Sequence, residues 1–396
     1  MSSAGSPAVR EALRLLVDDD RLARAAWSRL AEPGDAAATA LVAEFGPGPA
    51  LEVLSVSSKR EHQGYRGRLV AVDPRPELDI LHRVGGRLVC PGDEEWPAGL
   101  DVLGAPPFCL RLRGVLDLAA ACRRSLSIVG SRACTNYGID VATELSDGVA
   151  SRGFTVVSGA AFGIDGAAHR AALRADGWTV AVLAGGVDRA YPRAHEGLLA
   201  EIRERGVVMS EVPLGSAPTK FRFIERNRMI ATMTLGTVVV EAALRSGALS
   251  TARSAADHGR PVGVVPGPVS SPVSAGCHQA LRDGYATAVT DAAEVAELVG
   301  RIGVDAAPRP AGPVDPAWDG LDETGRRVLD ALPKSTGSTV DKLALVAGLT
   351  ADATRSALGR LALLGLTERH GAGWRLMPRA RRGGLPRGEG WVSVDG

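Results

Sequence analysis

Glycine, serine and arginine recur together in several short segments, and that combination suits the binding of anions. The segments are Gly130-Ser131-Arg132, Ser158-Gly159-Ala160-Ala161-Phe162-Gly163-Ile164-Asp165, Ala184-Gly185-Gly186-Val187-Asp188, Phe221 to Arg228 (FRFIERNR), Arg245-Ser246-Gly247-Ala248-Leu249-Ser250-Thr251 and Pro266-Gly267-Pro268. Glycine and serine directly before a helix leave backbone N–H groups free to face an anion, and the helix dipole favours negative charge there. Arginine adds a planar fork that matches phosphate oxygens. A single such loop is an ordinary strand-to-helix connection that needs glycine for its backbone; several on one sheet edge make a phosphate site. The chain has only sixteen aromatic residues, yet Phe162, Phe221 and Phe223 fall in these segments and Tyr191 three residues after one of them. Charge for a phosphate backbone and rings for stacking are what an unpaired nucleic-acid strand requires.

Other chemistries are poorly served. The chain has no Gly-Lys pair and hence no Walker loop, no complete G-x-G-x-x-G after a strand and no G-x-S-x-G elbow. Cys277 and His278 are adjacent and so diverge on any regular element. Asp165 and His169 read as braces of the Gly163-Ile164 turn rather than as metal ligand or base. No catalytic residue, metal site or cofactor is expected. The rival reading is a nucleotide-binding hydrolase: Leu235-Gly236-Thr237-Val238-Val239-Val240-Glu241 resembles an element of the lysine-decarboxylase-like phosphoribohydrolases, with one extra residue before the glutamate and Thr232-Met233-Thr234 where those enzymes have a double glycine.

The elements that must position the loops are β-branched runs, at 127–129, 155–157, 179–183, 207–209, 237–240 and 261–265, each followed by a segment of helix length. Strands alternating with helices predict an α/β protein with a parallel sheet covered on both faces and ligands at its carboxyl edge. Before it, residues 8–56 read as short helices broken at Gly46-Pro47-Gly48-Pro49. After it, residues 302–320 carry four prolines and three glycines and read as a linker. Residues 323–332, 339–347 and 351–364, the last capped by Thr350, read as helices followed by a hairpin of 367–369 and 374–376, a winged-helix pattern. Arg355 and Arg360 are the outward cations of its third helix. Residues 379–396, opening Arg-Ala-Arg-Arg, read as a polar tail.

With 46 Lys and Arg against 45 Asp and Glu, the formal charge is +1, so any basic site is local. Five cysteines, odd in number and without a C-x-x-C pair, argue against a disulfide framework or thiolate zinc site. No long apolar segment or signal sequence is present, and the expectation is a cytoplasmic protein with reduced thiols.

IVGSR at 128–132, VSGAAFGIDGAAH at 157–169, AGGVDRAYP at 184–192, SEVP at 210–213, ERNRMIA at 225–231, VVEAALRSGALSTA at 239–252 and VPGPVSSPVSAG at 265–276 together resemble, in order and spacing, the DNA-processing protein A (DprA/Smf) family over roughly Trp96 to Val299. The resemblance implies an extended Rossmann-like domain, taken here as 81–301, a helical SAM-like domain (1–80) before it and a winged-helix domain (321–378) after it. It implies a homodimer that binds single-stranded DNA, protects incoming strands and loads RecA recombinase during natural transformation or recombination. Residue by residue, the DNA-binding positions it implies are Gly130, Ser131, Arg132, Ser158, Gly159, Arg193 and Lys220. The segment reading adds Phe162, Gly163, Phe223, Arg226, Asn227, Arg228, Ser246, Gly247 and Thr251. Two departures stand out: Phe221-Arg222-Phe223-Ile224 lacks the proline the family often has after the phenylalanine, and Cys277 stands where it usually has asparagine.

Overall fold

The computed structural model describes residues 13–308, 321–333 and 336–377. Residues 8–12 of the first expected helix, most of the expected linker and the expected tail with its arginines lie outside these. The chain divides after Ala307 into two units.

In the first unit, helices α1 (Asp20–Leu30), α2 (Ala36–Phe45), α3 (Pro47–Val56) and α4 (Gln63–Leu69) close around Trp27, which is fully buried and donates its indole N–H to Pro47 O at 2.9 Å. The Gly-Pro-Gly-Pro stretch is a sharper break than its composition suggests. Gly46, at φ +85°, makes the turn, and Pro47, whose fixed φ suits a first helical turn, already belongs to the next helix.

Nine strands form one sheet: β1 (Gly86–Val89), β2 (Leu110–Gly114), β3 (Ser125–Val129), β4 (Thr155–Ser158), β5 (Thr179–Val182), β6 (Val207–Ser210), β7 (Thr237–Val239), β8 (Val262–Val264) and β9 (Thr287–Ala288). Their order is β1-β2-β6-β5-β4-β3-β7-β8-β9, and the seven from β6 to β9 are parallel. The expected strands are all present. The purely parallel sheet is not, because β2 pairs antiparallel with β6, and β1 with β2. Alternating side chains of the parallel strands feed two apolar layers. Leu126, Ile128 and Val156 pack under α7 (Asn136–Ala150) and α8 (Ile164–Arg174); Val129, Val157 and Val180 pack under α10 (Lys220–Thr232) and α11 (Gly247–Asp257).

The helical segment and the sheet share a buried polar joint. Arg111, wholly buried in β2, donates to Glu77 Oε1 at 2.7 Å, to Ser28 Oγ at 2.9 Å and to Glu211 O at 3.2 Å, while Glu77 also accepts from Arg29 and Leu214 N. A buried cation requires such partners. Glu77 sits on α5 (Arg75–Arg83), so the boundary expected at 80 falls inside a helix that is ion-paired to the sheet. The sheet unit also runs into the proline-rich segment: Asp305 accepts from both Nη1 and Nη2 of Arg124, at 3.0 and 2.6 Å. Between β5 and β6 lies α9 (Glu196–Arg205), and after β8 come α12 (Ala275–Arg282) and α13 (Ala292–Val299); a short α6 (Leu118–Arg123) precedes β3.

The second unit contains α14 (Glu323–Ala331), α15 (Val340–Ala347), α16 (Ala351–Leu363) and a hairpin of β10 (Thr367–His370) and β11 (Gly373–Leu376) around Val328, Leu343, Leu358 and Leu361. Thr350 caps α16 by accepting from Ala353 N, and Gly348, at φ +64°, ends α15 in the left-handed conformation.

Candidate nucleic-acid interface

The strand order reverses between β3 and β7: β4, β5 and β6 build out on one side of β3, and β7 and β8 on the other. Loops at the carboxyl ends diverge at such a point and leave a crevice. Here the loop after β3 is tied to both neighbours. Ser131 N donates to Glu241 O after β7 at 2.7 Å, and Ile164 N, starting α8, donates to Ser131 O at 3.3 Å. Gly163, at φ +75°, lies so close to the carbonyls of Ser131 and Arg132 that no side chain fits.

Over the ends of β4 and β5 a ring of side chains gathers on Phe223. The Arg132 guanidinium lies 4.5 Å from its ring centroid, that of Arg226 5.8 Å, and the Tyr191 ring 5.5 Å. Beside them Phe162 stacks edge-on against His195 at 5.1 Å, and His195 is fixed by a 3.0 Å hydrogen bond between Nδ1 and Ala160 O. Phe162, Tyr191 and Phe221 are about half exposed. A cleft of about 150 Å³ opens among Gly159, Gly185, Tyr191, Pro218 and Phe223.

The support beneath is charged and buried. Arg226 donates to Val182 O and lies on Gly159, where any Cβ would collide with its guanidinium. Asp165 accepts from Gly159 N and Ala161 N at 3.2 and 3.4 Å, bracing a turn in which Ala160 has φ +52°. Burial drops the Arg226 pKa to about 10, against the favourable field of Asp165, and burial raises the Asp165 carboxyl against the pull of Arg226.

The structure sorts the expected residues. Phe223 lines the cleft and Arg132 rests on its ring; Phe162, Arg193 and Lys220 are exposed outside that lining, and Arg132, Arg193 and Lys220 have no ion-pair partner among the described residues. Gly130, Gly159 and Gly163 stand where the Ile164 side chain, the Arg226 guanidinium and the Ser131 and Arg132 carbonyls respectively pass too close for a Cβ, and the Ser131 N–H, expected to face an anion, is spent on Glu241 O. Ser158 is spent inside the sheet, its hydroxyl donating to Ile128 O at 2.7 Å. Residues 221–228 are not a loop but the first turns of α10, capped by Thr219, which accepts from Arg222 N. Helical spacing therefore places Phe223 and Arg226 on one face and turns Arg228 away, onto Glu211 Oε2 at 2.6 Å and Ala105 O at 2.8 Å. Asn227 reaches Gly247 O at 3.3 Å, Ser246 caps α11, and Thr251 is buried one turn on, so these three join α10 to α11 beside Gly247. His195 had no signal in the sequence beyond its nearness to Tyr191-Pro192.

The groups with catalytic potential are otherwise occupied. Glu241 is 1% exposed and holds the start of α7, its oxygens accepting from Thr135 Oγ1 at 2.6 Å and Thr135 N at 2.9 Å. His169 is buried against Thr179 Oγ1 at 2.7 Å, and burial takes its pKa down to about 3. His278 turns to Gly267 O and Cys277 lies against the end of β7. Among the described residues no three His, Cys, Asp or Glu side chains gather as metal ligands, and no helix is long and apolar enough to cross a membrane.

The fold and this edge define an open, doubly wound α/β protein with a cation-and-aromatic cleft at the carboxyl ends of β4 and β5, beside its switch point. The chain belongs to the DNA recombination-mediator protein A family, which matches residues 87–300. It is 42% identical over 380 residues, 91% of this chain and 96% of the relative, to a Mycobacterium tuberculosis protein provisionally named DNA processing protein DprA. It is 42% identical over 209 residues to protein Smf of Escherichia coli, covering 52% of this chain and 55% of that one. The X-ray structure of DNA processing protein A from Streptococcus pneumoniae aligns with a TM-score of 0.59 at 32% identity, over 66% of this chain and 92% of that chain.

Proposed function

We propose that this protein binds unpaired DNA strands along the carboxyl edge of its sheet, with little base preference. The observation that carries the reading is the stack of Arg132 on Phe223 with Tyr191 alongside. A ring platform sits beside an exposed cation that makes no ion pair among the described residues, with buried Asp165 acting on it only at a distance, so one base and one neighbouring phosphate can be met together. Arg193, two residues after Tyr191, and Lys220, three before Phe223, are exposed cations that add to the positive charge available to a strand. The hydrolase reading needs a glutamate free to face a ribosyl group, and Glu241 is committed to Thr135.

With the family in view, the proposed role extends to protecting incoming single strands and loading a RecA-type recombinase in transformation or recombination, as a cytoplasmic homodimer. We place the dimer contact outside residues 130–132, 158–165 and 221–228, which must stay open to the strand. The test is competition: the protein should hold a labelled single strand against excess duplex of the same sequence. Equal competition by duplex, or release of free base from a nucleoside monophosphate, would sink the reading.

A further inference from the structure

We propose that the strand does not end at the Phe223 platform but continues across the loop 213–218 into a second, arginine-lined cleft to which the N-terminal helices contribute. This rests on the single-strand reading above. The second cleft, of about 370 Å³, lies between the end of α1 and the loop after β6, and Arg29, Arg68 and Arg222 line it. Ser216 lines both clefts. Consecutive residues of α10 face them, Phe223 the first and Arg222 the second. The loop 213–218 is thus the single ridge that a strand crosses between the rings and the cations.

Pairing decides which arginine is available. Arg222 is spent: its Nε and Nη2 donate to Glu32 at 2.8 Å each and its Nη1 to Ala217 O. Arg29 keeps Nη1 on Glu77. Arg68 is exposed, rests its guanidinium 5.5 Å from the Tyr65 ring centroid, and has no ion pair among the described residues. Like Arg132 on Phe223 it is a cation held on a ring, and it faces a carboxylate, Glu32, that is itself ion-paired to Arg222. Its ligand is a phosphodiester of the same strand. Glu32, at the cleft wall, is the opposing charge.

The experiment compares thymidylate strands of about six and about twenty nucleotides, a span matching common single-strand footprints, on the full chain. Wild type should bind the longer strand more tightly. Arg68→Ala should leave the short strand unchanged and weaken the long one about fivefold near ~0.1 M salt, the weight of one phosphate contact. Arg68→Lys should restore most of that, and Glu32→Gln, which removes the opposing charge, should tighten the long strand. Arg68 is exposed, so its variants should keep the wild-type melting temperature. If Arg68→Ala matches wild type on both strands, or weakens both alike, the second cleft is not on the path. Wild-type protein that binds both lengths equally overturns this inference alone, and wild-type protein with no single-strand affinity overturns the first reading with it.

Discussion

Arginines are presented at the sheet edge and on α16 of the C-terminal unit, and the two regions use them differently. At the sheet edge Arg132 lies over the Phe223 ring and makes no ion pair among the described residues, buried Asp165 acting on it only at a distance. On α16, Arg355 is paired with Asp352 at 2.5 Å and Arg360 with Asp322 at 3.0 Å, both on the surface. A phosphate approaching Arg132 meets a cation engaged in no ion pair beside a stacking surface, whereas one approaching α16 must displace a carboxylate at each arginine. Counting basic residues does not separate these regions; their partners do. The same distinction runs inside the site, where buried Arg226 and half-buried, ion-paired Arg228 serve the protein and exposed Arg132 is left for a ligand.

The largest expected effect breaks the internal comparison. Arg226→Ala removes the cation facing buried Asp165 and should lower stability by about 3–5 kcal/mol, read from the denaturant midpoint; an unmoved midpoint would make Arg226 a contact residue like Arg132. Phe223→Ala should weaken single-strand binding about 10- to 100-fold, from the ~1–3 kcal/mol of a stacked base, with a smaller midpoint shift than Arg226→Ala.

Acid gives a third comparison, between two buried groups whose shifts oppose each other, His169 and Glu211. His169, in the sheet unit, is neutral and buried, with a folded pKa of about 3. Between about pH 6.5 and pH 3 the unfolded chain binds a proton there that the folded chain does not, so stability falls as pH falls, by at most about 1.4 kcal/mol per pH unit. Glu211 acts oppositely, because burial raises its carboxyl to about 7 and its contribution is lost as pH rises toward that value. The readout is the slope of stability against pH: His169→Asn should flatten the acid limb by about one proton. The smallest effect is on α16, where Arg355→Ala and Arg360→Ala should change DNA affinity by less than about twofold. Asp352→Asn with Asp322→Asn should raise duplex affinity by freeing both arginines, the Asn at 322 still capping α14.

The parallel strands were legible because β-branched runs between glycines have few other uses. Strands β1 and β2 were not, since Arg87, Arg111 and Arg113 interrupt their apolar pattern, and Arg111 tolerates burial only through Glu77 on a helix 34 residues earlier. The crevice was legible in Gly130-Ser131-Arg132, where strand end and chemistry coincide. The direction of each arginine in 221–228 was not, because it depends on Thr219 starting a helix there and on Glu211 and Val182 O waiting on its inner side. Ser158 and Thr251 read as ligand groups by type alone, and the sheet and helix had already claimed both hydroxyls.

The central claim is that the sheet edge grips an unpaired strand through the exposed cation at Arg132. A salt titration of single-strand binding by wild type and Arg132→Ala tests it most directly. Removing one phosphate contact should weaken binding alike for every sequence and reduce the slope of log K against log salt by about 0.7, with the melting temperature unchanged. An unchanged slope, or a variant that unfolds, would make Arg132 a structural brace and place the strand elsewhere.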